Sequence, residues 1–169
     1  MVTNAGAAGG DVRALVYVDA FIPDEGETLL TLLDGSGSAL AVADPSTVLD
    51  LAGYPGAPEG IVDAFLKPET VHDFFAQDLE EPDRWLIAAT QRPLSFAAYV
   101  TPTAGPAWKT IPSWSVIGTA DLVIPPALQH RMSERAGATI SEVEASHVSM
   151  VSRPDATLAA IQAAVDSIE

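Results

Sequence analysis

The sequence predicts an α/β fold, with parallel strands, flanking helices and one long excursion inserted between the first two strands. Three observations predict it. Apolar, β-branched runs of strand length stand at residues 14–20, 114–118 and 139–143. Helix-like runs follow the second and third of them, and strand–helix alternation builds parallel sheets with right-handed crossovers. Residues 21–113 separate the first strand from the second, far more chain than a crossover needs, so this stretch reads as an inserted cap.

Each element has its own justification. Ala14-Leu15-Val16-Tyr17-Val18-Asp19-Ala20 is nearly continuous apolar, the pattern of a buried strand, and Pro23-Asp24 stops it. Glu25 to Leu33 reads as a helix with acids in its first turn, where the helix dipole favours them. Asp34-Gly35-Ser36-Gly37-Ser38 is a loop, and residues 43–60, rich in Pro, Gly and Asp, read as irregular. Pro68 to Leu79 carries Val71, Phe74, Phe75 and Leu79 at helical spacing. Pro82 to Gln91 opens on proline and acid, a good first turn, and Pro93 to Val100 is a third helical run. Thr101 to Pro112 is a proline-rich connector. After the strand at Trp114–Gly118, Pro125 to Arg135 reads as a helix capped by Gly137. Ser152 reads as the cap of the last helix, whose Leu158, Ile161, Val165 and Ile168 make one apolar face. The implied division is core at 1–24, helical cap at 25–110, and core again at 111–169.

Composition narrows the partners. A chain of 169 residues with 48% hydrophobic content fits one globular domain. Its 23 acidic and 8 basic residues give a net charge of −15, which repels nucleic acid and anionic membranes and favours solubility. The absence of cysteine excludes disulfides and thiolate chemistry. His72, His130 and His147 show no metal-ligand spacing, and no metal or organic cofactor is expected. No apolar run approaches membrane-span length and Met1 to Gly10 does not read as a signal peptide, so a cytoplasmic location is expected.

Two residues stand where chemistry is most readily built. Asp121 follows Trp114-Ser115-Val116-Ile117-Gly118 and precedes a helix, and His147 follows the third strand in Glu144-Ala145-Ser146-His147. The stretches "ALVYVDAFIPDEGE" (from Ala14), "ATQRPLSFAAYVTPTAGPAWKTIPSW" (from Ala89) and "GTADLVIPPALQHRMSERAGATISEVEASHVSMVSRPDA" (from Gly118) resemble, in order, the α/β-hydrolase superfamily of the small esterase and hydroxynitrile-lyase-like type. Gly118 to Asp121 and Ser146-His147 are the specific parts. The resemblance implies a partial α/β-hydrolase fold: strands six to eight, flanking helices and an inserted helical cap. It implies Asp121 as the acid and His147 as the base of a Ser-Asp-His triad.

The Gly-x-Ser-x-Gly elbow of that family does not occur, and Met1 to Gly6 resembles the helix just after it. The resemblance therefore implies that the first five strands, the serine and the oxyanion-hole donors precede this chain, which would be inactive or weak alone. Supplied with that half, the site would take a small apolar ester-like substrate. A homodimer, or a partner supplying the N-terminal half, is expected to cover the strand at 14–20, left as an open edge. Two alternatives remain: a non-catalytic oligomeric binding module, and a general-base enzyme of the hydroxynitrile-lyase-like type.

Other residues read more plainly. Ser36 and Ser38 in "DGSGSA", and Ser146 and Ser149 beside His147, are weaker nucleophile candidates. His72 and His130 read as helix-surface residues. Phe74, Phe75, Trp85, Phe96, Tyr99 and Trp108 are cap aromatics, mostly core, some of which would line an apolar pocket. Asp19 reads as a turn former, with a place in the pocket as the alternative.

Overall fold

A computed structural model describes residues 2–7 and 9–168. In chain order the elements are α1 (Val2–Ala7), β1 (Leu15–Val18), α2 (Leu29–Leu33), a 3-10 turn (Pro45–Thr47), β2 (Leu49–Ala52) and β3 (Asp63–Leu66). Then come α3 (Pro68–Thr70), a π turn (Val71–Phe75), α4 (Glu81–Thr90), β4 (Leu94–Ser95), α5 (Ala97–Val100) and a second 3-10 turn (Ala107–Lys109). The chain closes with β5 (Ser113–Gly118), α6 (Pro126–Arg135), β6 (Thr139–Val143), α7 (Ser149–Ser152) and α8 (Pro154–Asp166).

The three strands expected from sequence form one parallel sheet in the order β1-β5-β6. Val18 pairs with Val116, and Gly118 with Val143, so β5 and β6 end side by side at the same edge of the sheet. Alternation along β1 sends Leu15 and Tyr17 into a core with Ile22, Val123, Ile124, Leu128 and Met132, under α6. There the Ser133 hydroxyl donates to Ser115 Oγ at 2.9 Å, which satisfies two buried hydroxyls. Gly137, at φ 63°, ends α6 as expected: its N–H donates to Glu134 and that of Ala138 to Ser133, a Schellman cap. Against the sheet α8 buries Ala160 and Ala164. Its larger apolar residues stay outside, with Leu158 65%, Ile161 44% and Val165 41% exposed. Small residues at the contact let the helix axis approach the strands closely.

Several expectations need correction. The excursion between β1 and β5 is helical only in part, because β2, β3 and β4 form an antiparallel sheet in that order. Residues 43–60, read as irregular, contain β2; Pro93–Val100, read as helix, contains β4 and only the short α5. Leu-Asp-Leu-Ala in β2 lacks β-branched residues, and its conformation comes from pairing with β3 and from packing of Leu49 on Val48 and Ala64. The helix expected at Glu25–Leu33 begins only at Leu29, where the Thr28 and Thr31 side chains form a reciprocal cap. Ser152 ends α7 and does not cap α8, which starts on Pro154 after a non-helical Arg153.

Candidate functional site

Parallel strands place the loops after β5 and β6 beside one another, and such carboxyl-end loops are where open α/β sheets bind ligands. Asp121 lies in the first of these loops. Its Oδ1 accepts the N–H groups of Val123 and Ile124 at 2.8 and 2.9 Å, a local turn that fixes the side chain. Its Oδ2 accepts from Gln129 Nε2 at 2.8 Å and meets His147 Nδ1 at 2.8 Å. The Asp121 side chain is fully buried and that of His147 is 16% exposed. Four donors thus replace the hydration that the carboxylate loses. With Nδ1 turned to Asp121, Nε2 is the nitrogen that His147 has free for chemistry.

Asp121 and His147, singled out from the sequence, are therefore in direct contact. Gln129 was missed. It sits one turn into α6, and its Nε2 also donates to the Ile124 carbonyl at 2.7 Å, so it ties the acid to the helix that follows. The only signal for it was an amide one helical turn past a double-proline start.

The two loops are braced from several sides. Thr119 and Ala120 donate backbone N–H groups to Val143 and Ala145 at 2.9 and 3.0 Å. From the excursion, Gln77 Nε2 donates to the Ala120 carbonyl at 2.7 Å, and the Ser146 N–H donates to Asp78 Oδ2 at 3.0 Å. Burial would raise the Asp78 carboxyl, but the Ser146 and Ser152 donors outweigh it and hold the group below its ordinary value. Where a continuous helix was expected over Pro68–Leu79, the backbone widens into the π turn, a distortion that recurs at functional sites. Phe75 at its end packs on the His147 ring, centroids 4.8 Å apart at 59°. Val71 and Ala76 pack on Val148, next to the histidine.

His147 opens onto a cavity of about 830 Å³, whose walls include Tyr17, Leu33, Phe75, Ile87 and Tyr99. That is ample for a small organic molecule. Of the six aromatics expected in the excursion, Phe75 and Tyr99 reach the cavity. Phe96 stacks on Tyr99 at 5.6 Å, and Trp108 packs on the main core and donates to the Pro23 carbonyl at 2.9 Å. Trp85 and Phe74 are 47% and 37% exposed.

Three of the four weaker nucleophile candidates, Ser36, Ser38 and Ser146, have other work. The Ser38 hydroxyl donates to the Val123 carbonyl at 2.6 Å and that of Ser36 to Leu33 at 2.7 Å, so the "DGSGSA" loop is a brace for the acid loop. Ser146 is fully buried and bonded toward Asp78, and Ser149 is the first residue of α7. Among the described residues no hydroxyl is hydrogen-bonded to His147. His72 pairs with Asp73 at 2.9 Å and His130 with Glu142 at 2.6 Å, both away from the site on partly exposed helix surfaces. Among the described residues no group of three or more His, Asp or Glu could hold a metal ion. No helix among them is long and apolar enough to cross a membrane.

Similar folds recur among solved structures at low sequence identity. Polyneuridine aldehyde esterase is 19% identical with a TM-score of 0.70, the match covering 99% of this chain and 66% of that one. A pyrethroid hydrolase from Sphingobium faniae is 20% identical with a TM-score of 0.68, covering 96% of this chain and 65% of that one. A methylesterase from Arabidopsis is 17% identical with a TM-score of 0.69, covering 98% and 64%. The chain thus spans about two thirds of the length of these proteins. No curated protein matches it. The profile of the alpha/beta hydrolase family matches residues 1–160, and with that match over nearly its whole length the chain belongs to the alpha/beta hydrolase family.

Proposed function

We propose that this chain contributes the acid and the base of a carboxylic ester hydrolase. The observation that carries the reading is the buried Asp121–His147 pair opening on an apolar cavity. His147 Nε2 would take the proton of an attacking serine hydroxyl and return it to the leaving alkoxide; water then repeats the cycle on the acyl-enzyme. Asp121 would hold the imidazole in the Nδ1–H tautomer and stabilise the imidazolium. The serine would be supplied by sequence outside these 169 residues, and the chain alone would be inactive or weak. Residues 25–110 would serve as the cap, and the cavity beneath would seat a small apolar ester. The esterase, hydrolase and methylesterase among the similar structures support an ester as substrate.

A fluorophosphonate probe followed by intact-mass measurement tests this reading. The chain alone should take no adduct. Joined to a polypeptide that supplies the N-terminal half of the fold, it should take a single adduct and hydrolyse p-nitrophenyl esters. His147→Ala should abolish labelling and lower hydrolysis by about 10³-fold or more, as loss of a general base does. Hydrolysis untouched by His147→Ala would refute the assignment.

The same reading leaves β1 as an edge. It pairs with β5 on one side, and Leu15, Val16, Tyr17 and Val18 make an apolar strand of the kind that recruits another chain. We propose that a second copy, or a partner supplying the N-terminal half of the fold, covers it. Light scattering should return a dimer or larger species at micromolar concentration, and a monodisperse monomer would count against self-pairing.

A further inference from the structure

Asp19 is a buried acid that the proposed chemistry does not use. It is 3% exposed and stands just past the end of β1. Its φ of 45° makes it the one non-glycine residue with left-handed backbone among those described. Such a conformation persists only where the surroundings over-determine it, and it clusters at functional positions. The surroundings here are explicit. The Asp19 N–H donates to the Val116 carbonyl at 3.0 Å, the last backbone bond of the β1–β5 ladder. Beyond it the side chain takes over: Oδ1 accepts the Gly118 N–H and Oδ2 the Ser149 N–H, both at 2.9 Å. Gly118 opens the loop that carries Asp121, and Ser149 closes the loop that carries His147.

We propose that Asp19 is the positioning residue of the Asp121–His147 pair, bridging the two loops through one carboxylate and placing a second negative charge near the imidazole, on the wall of the same cavity. Left-handed backbone is what lets one side chain reach both N–H groups from the end of an edge strand. A turn-forming role alone would leave the carboxylate in solvent, and here both oxygens are buried and bonded. Burial pushes the Asp19 carboxyl above its ordinary value, and the Ser149 and Gly118 donors and the nearby His147 pull it back. Ionisable groups near His147 come from three directions. Asp121 bonds its ring, Asp19 lies near it at the end of β1 and lines the same cavity, and Asp78 reaches the adjacent Ser146 from the excursion. Phe75, which packs on the ring, carries no charge, and Arg92, Tyr17 and Tyr99 line the same cavity.

The inference rests on His147 being the base, but its test reads the imidazole directly and needs no turnover, so the two readings fail separately. Asp19→Asn keeps the shape and tolerates left-handed backbone, and it removes the charge and one acceptor. The three imidazoles would be followed by ¹⁵N NMR across pH, with His72→Gln and His130→Gln for assignment. In Asp19→Asn the His147 midpoint should fall by about half a unit or more, because a favourable charge has gone. The Nδ1 proton shared with Asp121 should broaden. A purely structural Asp19 would change the melting temperature and leave the midpoint within about a tenth of a unit, and that result would overturn the proposal. Should Asp19→Asn not fold, the wild-type chain still decides. Labelled Asp19 Cγ and the His147 nitrogens should each report the other's titration as a second step, and independent single steps would overturn the proposal.

Discussion

Gly118→Ala is expected to destabilise the fold by about 3 kcal/mol, the upper end of what overpacking costs, although it adds one methyl group. A Cβ there would stand 2.6 Å from the Ser146 carbonyl oxygen, 2.8 Å from that of Ala145 and 3.1 Å from Asp19 Oδ1. The first two contacts are with backbone. Neither can give way as a flexible side chain would, because the histidine loop is fixed by the Ala120 N–H to Ala145 and by Asp78 to the Ser146 N–H. Gly118 is no freer to move. It ends the central strand of its sheet, is paired with Val143, and donates to Asp19. Relief therefore requires the two loops to part, which separates Asp121 from His147. Gly53 provides the control: a Cβ there meets nothing within 4 Å, so Gly53→Ala should stay within about 0.5 kcal/mol of the parent. Urea midpoints of the two variants decide the matter, and equal midpoints would contradict the close packing.

Gly118 also shows what the sequence can and cannot disclose. Its place after a β-branched run and before Asp121 marked the acid loop. The two carbonyl oxygens that exclude a side chain there belong to residues 145 and 146, and only the packed structure brings them near. The parallel strands were legible because β1, β5 and β6 are strand-length apolar runs set between turn and helix signals. In the excursion, β2, β3 and β4 were not. Each is short, and the partner strand rather than the residue preference makes it extended. The π turn was hidden for a related reason: Val71, Phe74 and Phe75 have ordinary helical spacing, whereas the wider turn buries Val71 with Ala76 and leaves Phe74 37% exposed. For the site, Asp121 and His147 could be named because their residue types and their order along the chain were informative. Asp78 and Asp19 act through bonds to loops distant in sequence, so the sequence offered for Asp19 only a turn or a place in the pocket and for Asp78 nothing. Gln129 bonds within eight residues, and a single amide past a proline start carries no mark of its own.

Asp121→Asn should abolish the proposed base function of His147 while leaving the chain folded. Oδ1 accepts two backbone N–H groups, Val123 and Ile124, so the amide must keep its oxygen there. The new NH₂ then takes the place of Oδ2 and faces Gln129 Nε2 and His147 Nδ1, each 2.8 Å from that atom in the parent. Donor would meet donor at both contacts. His147 can relieve its side by moving its proton to Nε2 and accepting at Nδ1, but a protonated Nε2 cannot take a proton from a nucleophile. Gln129 cannot relieve the other side without penalty, since turning its amide would aim Oε1 at the Ile124 carbonyl, now bonded by Nε2 at 2.7 Å. One unmet contact remains and should lower stability by about 1–3 kcal/mol. The tautomer change should lower kcat for ester hydrolysis in the joined protein by about 10⁴-fold, the size of effect seen when an acid in this role is made an amide. The tautomer is visible without any turnover, as an exchange of the two ¹⁵N environments of His147 in the isolated chain. A variant whose His147 kept its proton on Nδ1 would show that Asp121 does not set the tautomer, and the proposed division of labour between the two residues would then be wrong.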